Sequence, residues 1–366
     1  MHVQCIIKLI NNEEDMTLKK RINPRNTPVL PLYHKKGFQL VYLIMIMGLF
    51  FLKALMMLHQ YNVSEPLPPI FPNLAHKEQQ FGFGAEIVNV GLFIKNFPEF
   101  DVQAGIFSLE GEIWFDFNPH LLSLQTIENF QFEKASHFTK SPPLVKLIGK
   151  RLFAIYPISV KFNSDLMHHL FPFNDHRIYL TMTIDKVSPK EILFEASQSG
   201  LRITNEIKPH GWTPVDFDAR SGYIKNSLDI QDQRKFLSYP AVVFAVTFIK
   251  PGFRNVFVIL GPSIFLFFCG LLSLLIEGKA GTRLTIVIGS LTGLLVHRFV
   301  IEQLSPSVGY YTPVDYLYVL FLLSTFIILI INIYELEKPM QKNFKNAIFY
   351  AIQIFTVAIF YGLTSS

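Results

Sequence analysis

The sequence predicts an all-β extracytoplasmic sandwich joined to a four-helix transmembrane bundle, with an additional N-terminal transmembrane helix. Three observations support this fold class. Apolar residues make up 50% of the 366 residues, and the mean hydropathy is positive, which is typical of membrane proteins. Apolar stretches of bilayer length, about 20 residues, occur once near the N-terminus and four times in the C-terminal third. The middle of the chain shows the period-two alternation of half-buried strands.

The N-terminal apolar stretch, residues 37–58, follows a tail of residues 1–36 that is rich in Lys and Arg. Because basic flanks stay on the cytoplasmic side, we expect this tail inside the cell. The long charged region and the lack of a small-residue cleavage site favour an uncleaved anchor over a cleaved signal peptide. The anchor would then place the following chain outside the cytoplasm.

A proline-rich linker, residues 59–80, follows the anchor and is expected to be an extended, fairly stiff spacer. The next region, residues 81–250, is predicted to be an antiparallel β-sandwich that senses a ligand. Its predicted strands are residues 87–94, 107–115, 153–162, 178–184, 192–196, 200–206 and 241–249.

Residues 251–366 hold the four C-terminal apolar stretches, and the polar breaks between them indicate their orientation. The first break contains Lys279 and Arg283, the second has no Lys or Arg, and the third contains three lysines. This inside, outside, inside order agrees with an outer sandwich. The net charge of +5 is therefore interpreted as topology information and not as a nucleic-acid-binding surface. The four stretches are residues 256–276, 284–304, 316–334 and 347–363.

Two segments carry a more specific signal. Residues 170–184, LFPFNDHRIYLTMTI, place a Phe-Pro-Phe run before an alternating strand, and residues 304–316, LSPSVGYYTPVDY, join the second and third C-terminal stretches. In this order, over residues 84–363, the chain resembles the pentameric ligand-gated ion channels, the Cys-loop receptor superfamily, as a divergent member of the bacterial type. The resemblance implies a ligand-gated channel subunit that assembles as a homopentamer.

The match has departures. Asn174 and His176 stand where the family's F-P-F-D-x-Q signature has Asp and Gln, and Lys250 stands where an arginine is usual. The family's Trp-x-Pro-Asp motif is missing between Trp114 and Tyr156, so the ligand-binding residues are left open. In the family, the two matching loops touch and couple the sandwich to the pore. The residues implied in coupling here are Phe171, Pro172, Phe173, Asn174, Asp175, Lys250, Pro306, Tyr310 and Asp315.

The second C-terminal stretch, residues 284–304, is less apolar than its neighbours and carries a polar stripe. At about 100° per residue, six residues fall within about 60° of Thr292. In a pentamer this stripe would line the pore, with polar rings at the inner half and an apolar collar outside; the alternative is a helix–helix interface through small residues. The six residues are Thr285, Gly289, Thr292, Val296, Phe299 and Gln303.

His297 and Arg298 are ionisable residues at membrane depth, off this stripe. Arg298 can pair with Glu302 one turn later, and His297 would face a neighbouring helix, where a structural role and proton sensing are both open. The residues before Arg283 include no carboxylate closer than Glu277. Cation channels of the family usually have one there, so ion selectivity is open and anions are slightly favoured.

Other functions find less support. His168, His169, Asp175 and His176 lie close in sequence, but their spacing lacks a metal-binding pattern. No catalytic motif appears, so we expect neither an enzyme nor a cofactor or metal. The serious alternative is a non-conducting, membrane-anchored periplasmic sensor or scaffold.

The expected setting is a bacterial inner membrane, with the N-terminus cytoplasmic and the sandwich periplasmic. The expected partners are membrane lipid, an unknown small-molecule ligand or protons, and permeant inorganic ions. The two cysteines, Cys5 and Cys269, are badly placed to form a disulfide.

Overall fold

The structure, a computed structural model, describes residues 35–58, 60–61, 67–72, 85–204, 209–227, 236–276 and 280–363. Almost all of the predicted basic tail lies outside the described residues. The same is true of Cys5, Pro66 in the linker, and residues 277–279 with Glu277 and Lys279.

Within the described residues, twelve strands form two sheets of six. One sheet has the order β1-β9-β12-β11-β2, with β5 also paired to β9, and the other has the order β10-β3-β4-β8-β6, with β7 also paired to β8. The strands are β1 Gln60–Tyr61, β2 Phe71–Pro72, β3 Glu86–Asp101, β4 Ile106–Phe117, β5 Gln131–Phe132, β6 Ala135–Lys140, β7 Leu144–Ile148, β8 Arg151–Asn163, β9 Asn174–Thr183, β10 Ile192–Ile203, β11 Thr213–Ser227 and β12 Phe236–Ile249.

The two sheets form a β-sandwich-like region around one hydrophobic core. Alternation produces it: along β4, Phe107, Leu109, Ile113 and Phe115 are buried and their neighbours are less so. Phenylalanines dominate the core and meet edge to face, as where the ring of Phe100 lies 5.1 Å from that of Phe107. Burial of these rings is the main stabilising term of this region.

The predicted strands are present, with two differences in topology. Residues 192–196 and the described part of 200–206 belong to one strand, β10, whose register shifts between Ala196 and Leu201. This strand pairs in parallel with β3, and the short β1 pairs in parallel with β9, so the sandwich is not wholly antiparallel. Six strands were not predicted: β1, β2 and β5 are only two residues long, β6 and β7 are largely exposed edge strands, and β11 is polar along much of its length.

Among the described residues, five helices are long and apolar enough to cross a membrane, which indicates a membrane protein. They are α1 Lys36–Met56, α2 Arg254–Leu272, α3 Ala280–Leu304, α4 Pro313–Glu337 and α5 Lys342–Leu363. Each overlaps one of the predicted stretches. They share one hydrophobic cluster, in which Phe50 of α1 contacts Phe268, Phe321 and Phe360 of three other helices. The N-terminal helix therefore packs against the others.

Part of the linker is bound to the sandwich. Phe71 and Pro72 pair with Tyr223 and Gly222 of β11, and the Phe71 ring stacks on Tyr223 at 5.4 Å. A Cβ at Gly222 would lie 2.1 Å from the Phe71 carbonyl oxygen, so this approach requires glycine. The linker is thus more than the spacer that its prolines predict.

Strand β12 leads into α2 through a tight turn. Gly252 has φ of +94°, a backbone conformation that side-chain-bearing residues rarely adopt. The turn places the N-terminus of α2 directly beneath the sandwich, beside the loop that contains Phe171 and Phe173.

Candidate functional site

The predicted pore stripe lies on the exposed face of α3. All six residues are exposed in the chain, including Val296 at 60% and Phe299 at 69%, and a Cβ built on Gly289 would meet nothing within 4 Å. At about 100° per residue, the buried residues of α3 are centred on the side of the helix opposite to the stripe. These are Arg283, Val287, Ser290, Leu294, His297 and Ile301. The stripe is therefore available to water, lipid or another copy of the chain.

His297 is turned away from the stripe, as the sequence predicts. Its Nε2 atom lies 2.9 Å from the carbonyl oxygen of Ile259 on α2. A carbonyl can only accept, so Nε2 carries the proton and donates. The residue therefore holds α3 against α2.

Arg298 has a different partner from the one predicted. Its Nη1 atom lies 2.6 Å from Oδ1 of Asp315, and its guanidinium lies over the Tyr318 ring at 5.4 Å. Glu302, the local partner suggested by helical spacing, lines the same surface hollow as Arg298, but the carboxylate within ion-pair distance of Arg298 is that of Asp315. The second oxygen of Asp315 accepts hydrogen bonds from the backbone and hydroxyl of Thr312, which caps α4.

The loop between α3 and α4 contacts the sandwich through Tyr310. The Tyr310 hydroxyl accepts a hydrogen bond from the backbone N–H of His168 at 2.8 Å, and its ring stacks on His169 at 4.1 Å. Nearby, the Gln103 side chain in the β3–β4 turn donates to the Leu304 carbonyl at the end of α3, at 2.7 Å. The C-terminal end of α3 and the loop after it are thus held from two sides.

The Phe-Pro-Phe segment inserts into the helices. Phe171 and Phe173 are buried and belong to the hydrophobic cluster of the membrane helices, not to that of the sandwich. The Phe171–Pro172 peptide bond is cis. Pro306 is also buried and shares a cavity wall with Pro172. The structure therefore brings the two loops singled out by the sequence together.

This junction encloses a cavity of about 550 Å³. His168, His176, Trp212 and Lys250 line it, together with the first turn of α2. Asn174 Nδ2 lies 3.0 Å from Nε2 of His176. Trp212 is not predicted from the sequence, because it follows a short 3-10 turn and belongs to no alternating pattern. Its position after a Pro-His-Gly turn is a weak signal at best.

Burial shifts two titratable groups at the cavity. It lowers the pKa of His168 to about 4, with smaller contributions from the neighbouring His176 and His169. Burial also lowers the pKa of Lys250, whose Nζ lies over the Trp212 ring at 5.6 Å. His168 is therefore a neutral hydrogen-bonding group at pH 7.

The histidines at positions 168, 169 and 176 do not point to one common site. His168 lies against His176, with ring centres 4.9 Å apart, while His169 stacks on Tyr310. His168 and His169 lie in a loop and not on a strand. Among the described residues, no group of three or more His, Cys, Asp or Glu side chains is arranged to hold a metal ion.

A second ionic cluster joins the start of α3, the end of α4 and the start of α5. Glu335 of α4 pairs with Arg283 of α3 and, at 2.9 Å, with Lys345 of α5, and the three side chains are 8–14% exposed. In the sequence, Arg283 and Lys345 are only orientation signals, and their spacing does not predict this cluster. The cluster turns Arg283 away from the exposed stripe.

No family model matches the sequence, and no curated protein matches it.

Proposed function

We propose that the protein is a subunit of a homopentameric ligand-gated ion channel. The outer sandwich senses a small-molecule ligand or protons, and α3 lines a central pore. One observation carries the proposal: the face of α3 left uncovered by its own chain is centred on Thr292, the face predicted to line the pore. The resemblance of the two junction loops to the channel family supports it.

The stripe has the chemistry of a gated pore. With α3 innermost, rings of Thr285 and Thr292 hydroxyls would replace part of the hydration of a passing ion, and Gly289 would leave room for water. Further out, Val296 and Phe299 would form an apolar collar that closes the pore by dewetting. The family usually has an apolar residue at the position of Thr292. In this protein the proposed collar lies farther out than Thr292.

Coupling would run through the junction. Movement of the sandwich loop at His168–His169 reaches the end of α3 through Tyr310, and the β3–β4 turn reaches the same end through Gln103. A ligand that favours one arrangement of the sandwich would shift the population of pore conformations. Lys250, beside the cavity, interacts with Trp212 where the family has an arginine.

At the inner mouth we propose a slight preference for anions. Neither Gly281 nor Arg283 carries the carboxylate usual in cation channels, and the carboxylate of Glu335 is paired with Arg283 and Lys345. The proposed setting is a bacterial inner membrane, with the N-terminus cytoplasmic and the sandwich periplasmic, in accord with the basic breaks beside α3 and α5.

A non-conducting sensor or scaffold is the second candidate. The exposed apolar side chains of Val296 and Phe299 would also suit a dry interface between helices. In that case the stripe would be covered by protein and not hydrated.

Native mass spectrometry of the detergent-solubilised complex separates the two. Five copies of the 42.1 kDa chain are expected for the channel. A monomer or dimer would exclude a central pore lined by α3 and leave the sensor as the better account. Unlike a recording of currents, this measurement requires no known ligand.

A further inference from the structure

We propose that the cavity between the sandwich and the membrane helices binds a small amphiphilic anion, with a carboxylate or phosphate head and an apolar body. Binding there does not require that the protein conduct ions. The cavity volume, about 550 Å³, lies within the range of about 300–1,000 Å³ that is typical of small-molecule sites.

Lys250 supplies the positive charge. Among the described residues, no carboxylate lies within ion-pair distance of its Nζ, and burial lowers the pKa of this amine. Two of the wall carboxylates are already engaged: Glu99 pairs with Lys161 at 2.6 Å, and Asp101 accepts hydrogen bonds from two backbone N–H groups of its own turn. The third, Asp175, is buried and also has an interaction partner. An anionic ligand would therefore stabilise the charged form of Lys250.

His168 supplies an unused hydrogen-bonding group. The residue is only 4% exposed and lines the cavity, and among the described residues its ring nitrogens are not counted with the fully buried side-chain atoms that lack a hydrogen-bond partner, so they reach the space of the cavity. Its backbone N–H donates to the Tyr310 hydroxyl, and its ring lies against His176. An acceptor on a ligand in the cavity would therefore replace water at this ring.

The N-terminus of α2 adds a third contribution. The helix begins at Arg254 without a side-chain cap and without an acidic residue in its first turn, and Asn255 and Val256 line the cavity. Its free backbone N–H groups and the positive end of the helix dipole favour an anion. Lysine, imidazole and helix terminus thus converge from three segments of the chain.

The other residues that line the cavity favour a ligand with an apolar body. Phe100, Phe171, Phe173 and Leu304 line the cavity beside the polar groups. The cavity lies where the sandwich meets the membrane helices, so the anionic head group could belong to a free acid or to a lipid. Both sources share the same head chemistry.

Trp212 offers a direct readout. The chain has two tryptophans, so Trp114→Phe leaves the cavity tryptophan as the only indole. We would titrate purified protein in neutral detergent with 2-bromooctanoate, whose bromine quenches tryptophan, and with 2-bromooctanamide, which has the same body and no charge. We expect saturable quenching by the acid and at least about tenfold weaker binding of the amide, because charge-assisted hydrogen bonds are the stronger ones. Equal quenching by the two would overturn the proposal.

Two variants and a matched control locate the site. Lys250→Met and His168→Gln should each weaken acid binding by about tenfold or more, whereas Lys146→Met, at an exposed lysine of β7, should leave it unchanged. Thermal unfolding curves would establish that each variant is folded. Unchanged affinity in folded Lys250→Met would place the acid elsewhere and contradict the proposal.

Competition distinguishes the sources. In nanodiscs of phosphatidylcholine, added phosphatidylglycerol should displace the bromo acid if the lipid phosphate is the natural head, and should leave binding intact if a free acid is. Either result supports an anion site, and absence of saturable quenching in all membranes overturns it. These experiments measure binding, so a failure to bind the acid would not contradict the channel proposal. Likewise, a mass other than that of a pentamer would not contradict the proposed anion site.

Discussion

Arg298 and Asp315 join the C-terminal part of α3 to the first turn of α4, with Nη1 and Oδ1 2.6 Å apart. The same carboxylate caps α4 through Thr312. One acidic side chain therefore fixes both the start of a helix and its position relative to the helix that carries the exposed stripe.

Asp315→Asn should destabilise the protein by about 1–3 kcal/mol. The substitution keeps the size of the side chain but leaves the guanidinium of Arg298 without its charged partner. Glu302→Gln, in the same hollow, is the matched control and should change stability by less than about 0.5 kcal/mol. Unfolding in detergent measures both, and a double-mutant cycle with Arg298→Met should show coupling. Equal effects of the two substitutions would contradict this assignment.

Tyr310→Phe should alter activation without preventing assembly. The substitution keeps the ring that stacks on His169 but removes the acceptor for the His168 backbone N–H, a loss of about 1 kcal/mol at the junction. Tyr311→Phe is the control, since Tyr311 is 65% exposed. Current–response curves, or binding curves for any ligand found, compare the two variants at constant native mass. Identical curves for Tyr310→Phe and Tyr311→Phe would argue against the coupling route.

Acidification should loosen the junction. Burial lowers the pKa of His168 to about 4, below its ordinary value of 6.5, so the folded state disfavours protonation. The contribution of neutral His168 to the free energy of unfolding is therefore fully present above about pH 6.5. This contribution, up to about 3 kcal/mol, is lost as the pH falls toward 4. The groups that face this ring are His176, His169 and the cavity wall with Lys250 and Asp175.

His168→Gln should flatten this pH dependence, and His137→Gln, at an exposed position of β6, should preserve it. Thermal unfolding midpoints between pH 7 and pH 4.5 would show the difference. A slope that is the same in both variants would assign the effect to other groups.

Glu335→Gln should be the most damaging of these substitutions. It leaves the cations of Arg283 and Lys345 together in a poorly exposed site, at a cost of about 3–5 kcal/mol. Glu337→Gln, two residues later on an exposed face, should be nearly neutral. Yield of folded complex and the thermal midpoint provide the comparison, and a neutral Glu335→Gln would show that the cluster contributes little.

Local patterns were sufficient for most of the elements. Period-two alternation located seven strand segments, because burial of one face of a strand produces alternating apolar residues. Hydropathy located the five membrane helices, because a helix that crosses a bilayer is a continuous apolar stretch. The strands without such a pattern are the two-residue strands β1, β2 and β5, the largely exposed strands β6 and β7, and β11, which is polar along much of its length.

Contacts between distant segments could not be read in this way. Helical spacing pointed from Arg298 to Glu302, but a carboxylate 17 residues away on another helix is closer. The cavity is assembled from segments around residues 100, 168, 212, 250 and 304, and no single one of them shows a binding pattern. Only the resemblance of two loops anticipated that they meet.

The central claim is that α3 lines the axis of a pentamer, and distances between spin labels test it most directly. With Cys5 and Cys269 replaced, a label at Thr292→Cys in five symmetric copies should give two distances in a ratio of about 1.6. Both should be shorter than those from Ile354→Cys on the exposed face of α5. A single distance, or Thr292 labels farther apart than Ile354 labels, would contradict the channel architecture.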